Sequence, residues 1–306
     1  MMRDVFKFSV AAMTACLVLG AAEVGATPQI AGQVADAAAQ EASVADCSND
    51  ETRLGVARTV EIDTEQGANF GGSHGDLLGD HEVVLTFDDG PTRRTRDVLD
   101  ALAGQCTKAT FFMVGRMAIA HPELVKEVAN AGHTVGLHTW SHLNQRALSL
   151  VRGIREIELG TSAVSRALGH PAAPFFRFPY LSANRRAADY VASRHMAAWW
   201  VDVDSKDYKT RNSKLVRERI MAQLAVRKKG IILMHDIQPS TVGAIRDLLS
   251  DLHANGYKVV HIVPKAPVST VTTFDGEVEK LVAKKAAIAA ANPLASRSVV
   301  WPMEPP

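Results

Sequence analysis

The sequence predicts an α/β protein built on a distorted (β/α) barrel of about seven parallel strands. Short apolar runs rich in Val, Ile, Leu and Phe alternate with amphipathic helical patterns over residues 81–265, and this alternation is typical of parallel strands covered by helices. Polar residues also follow the ends of several of these runs. The carboxyl ends of barrel strands converge on one mouth, whereas an open sheet spreads them along an edge, so we favour the barrel.

Seven apolar runs are the predicted strands. In chain order they read EVVLTF, ATFFMVG, TVGLHTW, FFRFPY, AAWWVDVD, GIILMHD and KVVHIVP. Helical periodicity predicts helices over residues 92–104, 117–131, 145–168, 184–195, 212–228 and 240–255. The polar residues at or just after the strand ends are Asp88, Asp89, His138, Arg177, Tyr180, Asp204 and His235. Because a regular barrel has eight strands, we expect this one to be irregular.

Residues 1–26 have the features of a secretory signal peptide. Arg3 and Lys7 precede an apolar stretch that ends in the small residues 24–26, a pattern suited to signal-peptidase cleavage. The alternative is an uncleaved membrane anchor, which is less favoured because the run is short for a span of about 20 residues. We therefore expect a secreted or periplasmic protein.

Two further segments flank the predicted barrel domain of residues 81–265. Residues 27–80 begin Ala-rich and polar and continue with many Gly and Asp residues, which predicts an N-terminal arm and linker with loops. Residues 266–306 contain the helical pattern GEVEKLVAKKAAIAAAN followed by PLASRSVVWPMEPP. We interpret them as a C-terminal helix and a loose tail.

The charge balance excludes some classes of partner. Lys and Arg number 34 and Asp and Glu number 33, so the formal net charge is +1. Nothing in this total points to nucleic acid or to an anionic membrane surface. We expect a monomer with no stable membrane span after signal cleavage, whose specificity comes from a site.

Two cysteines remain once the signal peptide is removed. Cys47 and Cys106 are an even number in an oxidising compartment, and a disulfide between them would tie the arm to the barrel and add about 4 kcal/mol on the chain-entropy model. Spacing alone leaves two unpaired thiols as an equal alternative.

The segment HTWSH offers the strongest metal signal. His138 and His142 are four residues apart and can face the same side of a helical turn, where a carboxylate from another segment would complete a His-His-Asp set. Two surface or capping histidines are the alternative. The apolar strand before the motif and the Asp pair elsewhere favour the metal site.

The segment FDDG supplies two adjacent carboxylates at a strand exit. Asp88 and Asp89 could simply cap the following helix, since Asp-Asp-Gly-Pro is good turn chemistry. Successive side chains of a strand point to opposite faces, however, so the two carboxylates are expected to do different jobs. One would ligate a metal and the other would act as a base on water.

Arg177 and His235 end two other buried strands. An unpaired guanidinium would be costly there, so Arg177 is expected to pair with an anion such as one of the two aspartates, or to form a merely structural ion pair. A carboxylate near His235, from Asp204 or Asp207, would raise its pKa and keep it protonated as a general acid. A third metal nitrogen and a core histidine remain alternatives for His235.

Five motifs in order resemble the polysaccharide deacetylases, also called the NodB-homology domain or carbohydrate esterase family four. They are TFDDGP (residues 86–91), HTWSH (138–142), RFPY (177–180), DSKDY (204–208) and LMH (233–235). The resemblance covers roughly residues 80–265, and five motifs in register are far more specific than any one of them. It implies the barrel of that family and a glycan substrate.

The resemblance also implies roles for individual residues. Asp89, His138 and His142 would hold a divalent ion, usually zinc or cobalt in this family. Asp88 would be the general base oriented by Arg177, and His235 the general acid paired with Asp207. The further implied positions are the Tyr180 N–H at the oxyanion, Leu233 at the acetyl methyl and Tyr208 in the groove.

Two positions depart from the family pattern. The fourth motif usually ends in Trp where this chain has Tyr208, and Gly is common where Leu181 stands. Both are expected to line the groove, so they affect the shape of the substrate more than the chemistry.

The resulting function hypothesis is metal-dependent removal of N-acetyl groups from N-acetylglucosamine-containing chitooligosaccharide, peptidoglycan or exported polysaccharide. One alternative is hydrolysis of a non-sugar amide on the same barrel. Another is a non-catalytic, metal-containing glycan-binding protein, which loss of Asp88 or His235 would have indicated. Both residues are present.

Overall fold

The computed structural model describes residue 47 and residues 51–74 and 77–291. The predicted signal peptide, the beginning of the predicted arm and the end of the predicted tail lie outside the described residues. The predicted domain boundaries stay predictions. Within the described part of the chain, no helix has both the length and the apolar character to cross a membrane.

One sheet of ten strands forms the centre of the described chain. Its strands are β1 (Arg58–Ile62), β2 (Ala68–Phe70), β3 (Glu82–Asp88), β4 (Thr110–Met113), β5 (Thr134–Leu137), β6 (Phe175–Phe176), β7 (Ala197–Trp199), β8 (Val203–Asp204), β9 (Gly230–His235) and β10 (Lys258–Pro264). The helices are α1 (Thr95–Gly104), α2 (Gly115–Ala120), α3 (Pro122–Asn130), α4 (Leu150–Leu168), α5 (Arg185–Ser193), α6 (Ser213–Arg227), α7 (Pro239–Ala254) and α8 (Thr272–Ala291).

All the paired strands are parallel, as the sequence predicts. The central order is β8-β9-β3-β4-β5-β6-β7, and the longest ladder joins Val83–Asp88 of β3 to Gly230–His235 of β9. Helices follow most of these strands, so the chain has an α/β fold with a parallel sheet, consistent with a distorted barrel of seven central strands. In this sheet β7 and β8 are the two ends of the central order.

The structure corrects several predicted elements. The arm before the barrel contains β1, which pairs with β10, and β2, which pairs with β7. These strands were missed because β2 has three residues and β1 is mostly exposed, so neither shows an apolar run. The helix predicted over residues 117–131 is two helices, and residues 145–147 form a separate 3₁₀ turn before α4.

The run AAWWVDVD also forms two strands instead of one. The carboxylate of Asp202, between β7 and β8, accepts hydrogen bonds of 2.8 Å from the N–H groups of Gly72 and Ile231. Because its carboxylate accepts hydrogen bonds from two other backbone segments, Asp202 keeps its own segment from pairing regularly with a neighbouring strand. The break therefore follows from one polar residue inside an otherwise apolar run.

Cys47 and Cys106 form a disulfide in the structure, with an S–S distance of 2.10 Å. Nearby, the side chain of Gln105 accepts a hydrogen bond of 3.1 Å from Leu54 N–H, and its carbonyl accepts one of 2.9 Å from Gly55 N–H. Of the two alternatives that spacing left open, the structure supports the disulfide, which ties the arm to the end of α1.

Two layers of apolar side chains hold the sheet. The outer layer packs strand residues such as Leu85 and Phe111 against helix residues such as Val98, Val128 and Leu248. The inner layer consists of Val84, Phe112, Phe175, Trp199 and Ile231, together with residues of β1 and β10.

The alternation of side chains along a strand carries this inner face to the site. Residues two positions apart share a face of a strand. Thr86 and Asp88 therefore lie on the same face as Val84, and Arg177 lies on the same face as Phe175. In the same way, Leu233 and His235 lie on the same face as Ile231. The polar residues at the strand ends therefore stand above an apolar floor.

Helix α4 packs unusually close to the segment that follows β5. A Cβ atom on Gly160, in the middle of α4, would lie 2.5 Å from the carbonyl carbon of Thr139, and Trp140 N–H donates a hydrogen bond of 2.8 Å to the Glu156 carbonyl of the same helix. Backbone atoms cannot yield as a flexible side chain can. Gly160 therefore allows the approach that positions the HTWSH segment.

We expect Gly160→Ala to lower the free energy of unfolding by about 1–3 kcal/mol, because the added methyl overlaps fixed backbone. The matched control is Gly276→Ala in α8, where a Cβ meets nothing within 4 Å. This change should raise stability by up to about 1 kcal/mol through helix propensity. Urea denaturation of both variants measures the difference, and equal stability of Gly160→Ala and the parent protein would contradict the packing argument.

Candidate metal centre and active site

The two adjacent aspartates separate at the end of β3. Asp88 is the last residue of the strand and is 3% exposed. Asp89 has a φ of 75°, a left-handed conformation that Asp tolerates better than most residues. This turn of the backbone sends the second carboxylate in a different direction from the first.

His138 and His142 converge on Asp89. The Oδ1 atom of Asp89 lies 3.4 Å from His138 Nε2 and 3.1 Å from His142 Nε2. The expectation that the two histidines share a helical turn was wrong: residues 138–142 follow β5 as an irregular segment, with a φ of 64° at Thr139 and 61° at His142. Two left-handed residues, rather than helical spacing, bring the imidazoles together.

These three residues fit a divalent cation. One potential ligand atom of each lies within 4.8 Å of the others, and Asp89 Oδ1 is buried without a hydrogen-bond partner. His138 Nδ1 lies 2.7 Å from the carbonyl oxygen of Arg177, which fixes Nδ1 as the protonated nitrogen and leaves Nε2 as the ligand. An orphaned carboxylate oxygen between two imidazoles is explained by an ion.

The electrostatics of the triad suit metal binding. Burial lowers the pKa of His142 to about 4 even though Asp89 acts in the opposite direction, so the imidazole is neutral at pH 7, as a ligand must be. Burial tends to raise the pKa of Asp89, but the imidazoles of His138, His142 and His235 outweigh it and hold the pKa below its usual range.

Arg177 is wholly buried and is paired as expected. Its Nη1 donates hydrogen bonds of 2.7 Å to Asp88 Oδ1 and to Thr86 Oγ1, and its Nε donates one of 3.1 Å to the carbonyl of Trp199. The guanidinium carbon lies 4.2 Å from the centre of the Phe112 ring. Arg177 therefore fixes one oxygen of Asp88, while Oδ2 of Asp88 faces the triad at 3.9 Å from His138 Nε2.

His235 pairs with Asp207 rather than Asp204. The distance from His235 Nδ1 to Asp207 Oδ1 is 2.7 Å, and Asp207 Oδ2 accepts hydrogen bonds from His235 N–H and Thr241 Oγ1. Burial acts to lower the pKa of His235, but the hydrogen bond and charge of Asp207 outweigh it and raise the pKa to about 9. Nε2 is then protonated at pH 7 and lies 3.9 Å from Asp89 Oδ2.

The remaining predicted residues border the same space. Tyr180 has a φ of 59° and its ring centre lies 4.7 Å from that of His142. The ring of Tyr208 meets the His235 ring edge-on at 5.6 Å, and its hydroxyl donates a hydrogen bond of 3.3 Å to Asp204. Leu233 is buried two residues before His235, on the inward face of β9. Asp204 thus supports Tyr208 and is not part of the His235 pair.

The sequence did not predict the residues that support the site residues through hydrogen bonds. Thr86 accepts a hydrogen bond from Arg177, and Thr241 donates one to Asp207. Asp236 is fully buried, accepts a hydrogen bond from Thr95, and lies so close to Gly90 that a Cβ on this glycine would overlap its carboxylate. Burial, aided by the charge of Asp89, raises the pKa of Asp236 to about 7.

A signal for two of these residues was present in the sequence. Thr86 is two residues before Asp88 and so shares its face of β3, and Asp236 directly follows His235. Thr241 gave no signal, because its contact with Asp207 depends on how α7 packs against the turn at residues 207–209.

Comparison with known proteins places the chain in a family. The family model described as polysaccharide deacetylase matches residues 77–199. Peptidoglycan-N-acetylglucosamine deacetylase PgdA of Listeria monocytogenes is 34% identical over 181 residues, covering 59% of this chain and 38% of that protein. The chain therefore spans well under half the length of the Listeria relative.

Two other relatives are matched over more of their length. A peptidoglycan-N-acetylglucosamine deacetylase of Bacillus cereus is 30% identical over 186 residues, covering 58% of this chain and 67% of the relative. A chitooligosaccharide deacetylase of a Bradyrhizobium species is 28% identical over 208 residues, covering 63% and 94%. The relatives thus differ in the glycan that their names specify.

Solved structures share the fold. A peptidoglycan deacetylase of Bdellovibrio bacteriovorus is 29% identical with a TM-score of 0.64, and the match covers 72% of this chain and 62% of that chain. A Bacillus anthracis protein described as a CE4 family pseudoenzyme is 24% identical with a TM-score of 0.56, and the match covers 60% and 64%. The second likeness concerns the fold alone. The sequence match, the parallel sheet and the Asp-His-His triad together establish that this chain belongs to the polysaccharide deacetylase family, carbohydrate esterase family 4.

Proposed function

We propose that this protein is a metal-dependent N-deacetylase that removes acetyl groups from N-acetylglucosamine units of a glycan and releases acetate. The observation that carries the proposal is the pair of proton-transfer groups beside the triad. Asp88 presents one oxygen held by Arg177 and one facing the triad, while His235 is held protonated by Asp207. A base and an acid on two sides of one candidate metal site are what hydrolysis of an amide requires.

Asp89, His138 and His142 would hold the cation, for which we propose zinc or cobalt. Two imidazole nitrogens and one carboxylate oxygen are a common donor set for such ions and leave positions open for substrate and water. When bound, a divalent ion would polarise the acetamide carbonyl and lower the pKa of a nearby water.

The protein's own groups then divide the proton transfers. Asp88 Oδ2 takes a proton from the attacking water as the new C–O bond forms, and Arg177 keeps Asp88 Oδ1 oriented. The N–H of Tyr180 is proposed to donate to the oxygen on which negative charge develops. His235 Nε2 gives its proton to the amide nitrogen as the C–N bond breaks, and the products are acetate and an amino sugar.

Three further groups are proposed to position the substrate. Leu233 would contact the acetyl methyl, and Tyr180 and Tyr208, which are 66% and 48% exposed, would offer ring faces to sugar units. Large exposed aromatic rings beside a polar site are typical of a binding surface. Tyr208 in place of the usual Trp narrows that surface without changing the chemistry.

The two other functions are less well supported. A glycan-binding protein without turnover has no need for the Asp207–His235 pair or for a buried Arg177–Asp88 pair. Hydrolysis of a non-sugar amide would use the same groups, and we disfavour it because the chain carries a predicted signal peptide. We propose export, and the Cys47–Cys106 disulfide supports an oxidising compartment.

Two substitutions at neighbouring positions should separate metal binding from catalysis. We expect Asp89→Ala to lose both stoichiometric zinc or cobalt binding and acetate release, because it removes the only carboxylate of the triad. Asp88→Asn should retain the ion but lower kcat by about 10²–10⁴-fold, because it removes the base.

Acetate release from N-acetylglucosamine oligomers and peptidoglycan fragments, with and without chelator, and metal content by atomic emission measure both effects. The control is Asp97→Asn in the first turn of α1, which should retain both properties. Full activity of Asp89→Ala, or release that ignores the chelator, would refute the mechanism.

The protonation of His235 should set the alkaline limb of the pH profile. His235 is protonated below its pKa of about 9, so kcat/KM should fall as the pH rises through that value, and the positive charge of a bound ion should move the limb to a somewhat lower pH. Asp207→Asn removes the charge that raises the pKa and should shift the limb further down. Asp204→Asn, which contacts Tyr208 and not His235, should leave the limb in place. An unmoved limb in Asp207→Asn would exclude His235 as the acid.

A further inference from the structure

Basic residues are frequent on the segments at the end of the barrel that carries the site. Among the segments that lead from a strand end to the second residue of the following helix, five contain or directly follow residues of the candidate site, and we call these five the mouth segments. They are residues 89–96, 138–151, 177–186, 205–214 and 236–240. Because all these strands are parallel, the mouth segments lie at the same end of the barrel as Asp88 and His235.

The mouth segments contain many exposed cations and no exposed carboxylate. Their acidic residues are Asp89, Asp207 and Asp236, of which the last two are fully buried and the first belongs to the triad. The exposed basic residues are Arg93, Arg94, Arg96, Arg146, Arg185, Arg186, Lys206, Lys209, Arg211 and Lys214. Asp97 is the nearest exposed carboxylate along α1.

Few of these cations are neutralised by a neighbour. Arg96 pairs with Glu127 at 2.7 Å, while Arg185 and Lys214 have exposed helical partners, Asp189 and Glu218, at 3.8 and 3.7 Å. The other seven make no ion pair with any described residue. The whole chain has a net charge of only +1, so the excess at the mouth is a local feature and not a consequence of a basic protein.

One group of cations lies on the mouth segments that carry His142 and Tyr180. Asn184 Nδ2 donates a hydrogen bond of 2.9 Å to the carbonyl of Gln145, and this bond joins the segment that carries His142 to the segment that carries Tyr180. Arg146 directly follows Gln145, and Arg185 and Arg186 directly follow Asn184. These three guanidinium groups therefore come from two mouth segments that are joined three residues after His142 and four residues after Tyr180.

A second group lies beside the proposed acid. Lys209 Nζ lies 5.6 Å from the centre of the Tyr208 ring, and this ring meets the His235 ring edge-on. Lys206 and Arg211 are exposed on the same short segment, which Asp207 anchors to His235. Exposed cations thus occur on the segments that carry His142 and Tyr180 and on the segment that carries Asp207 and Tyr208.

We infer that the glycan substrate carries carboxylate groups within a few sugar units of the acetamido group that is hydrolysed, and that Arg146, Arg185, Arg186, Lys209 and Arg211 select it over a neutral glycan. This inference rests on the proposed deacetylase function and specifies its substrate class. Uncompensated like charges repel one another and oppose folding, so their concentration around one opening is explained by an anionic ligand. Of the five, Arg185 has an exposed partner in Asp189, and a neutral N-acetylglucosamine polymer gives the other four no partner.

The test compares glycans that differ in charge but not in length. The probes are a neutral N-acetylglucosamine tetramer, an alternating N-acetylglucosamine and N-acetylmuramic acid tetrasaccharide, the same tetrasaccharide with its stem peptides, and the same tetrasaccharide with its carboxyl groups amidated. Acetate release gives kcat and KM at ionic strengths of about 0.02 and 0.5 M, which span weak and strong screening. Binding of each glycan to Asp88→Asn is measured in parallel by calorimetry.

We expect the carboxylated glycans to have a KM at least about 5-fold lower than the neutral and amidated ones at low salt, and the difference to shrink at high salt. If the stem peptide is needed for the preference, its carboxylates are the recognised groups. If it is not needed, the lactyl carboxylate is recognised.

Two double variants test the named residues on each side of the site. Lys209→Gln with Arg211→Gln, and Arg185→Gln with Arg186→Gln, should each raise KM for the carboxylated glycan by roughly 3- to 10-fold and leave kcat nearly constant. The matched control is Lys126→Gln with Arg227→Gln, which removes two exposed cations outside the mouth segments and should not change KM. If the mouth cations had only a structural role, the change in KM would be the same for charged and neutral glycans.

The outcomes distinguish this inference from the proposed function. Acetate release with equal KM for charged, amidated and neutral glycans, insensitive to salt, would overturn the inference and leave the deacetylase intact. Charge-selective binding without acetate release from any glycan would overturn the deacetylase and retain the recognition of carboxylates.

Discussion

The buried charge of Arg177 is the constraint on which the arrangement of the site depends. Its side chain is 0% exposed, and a guanidinium in such a place would be strongly destabilising without an anion and acceptors for its hydrogen atoms. Asp88 supplies the charge, while Thr86 and the Trp199 carbonyl accept two further hydrogen bonds. This requirement ties β3 and β7 to the segment after β6.

The same residue positions a metal ligand through its backbone. The Arg177 N–H donates a hydrogen bond of 3.0 Å to the Leu137 carbonyl, and its own carbonyl lies 2.7 Å from His138 Nδ1. The side chain therefore orients the proposed base, while the main chain orients an imidazole of the triad. Among the described residues, Asp88 is the carboxylate that pairs with the buried guanidinium of Arg177.

The sequence predicted much of this site because the inward face of a parallel strand is periodic. Asp88, Arg177 and His235 each stand two residues beyond a buried inward side chain, so alternation alone directs them into the mouth. The same rule predicted separate roles for Asp88 and Asp89, and these roles stay a prediction. Alternation does not predict the backbone conformation after a strand ends. There, left-handed residues such as Asp89 and His142 determine which side chains come into contact. For that reason the helical turn expected for His138 and His142 was wrong, and β1 and β2 were missed because short or exposed strands carry little periodic signal.

Charges of opposite sign occupy different depths of the mouth, and this separates the selection of a glycan from its hydrolysis. Asp88 and Asp207 are buried with their partners and Asp89 is half-buried, so their interactions are little screened. The mouth cations are exposed, so solvent and salt weaken their effect over about 10 Å. They can attract and orient a distant carboxylate without greatly altering the pKa of His235, which the adjacent Asp207 controls. Loss of a mouth cation should therefore appear in KM, whereas loss of a buried partner should appear in kcat and in the pH profile.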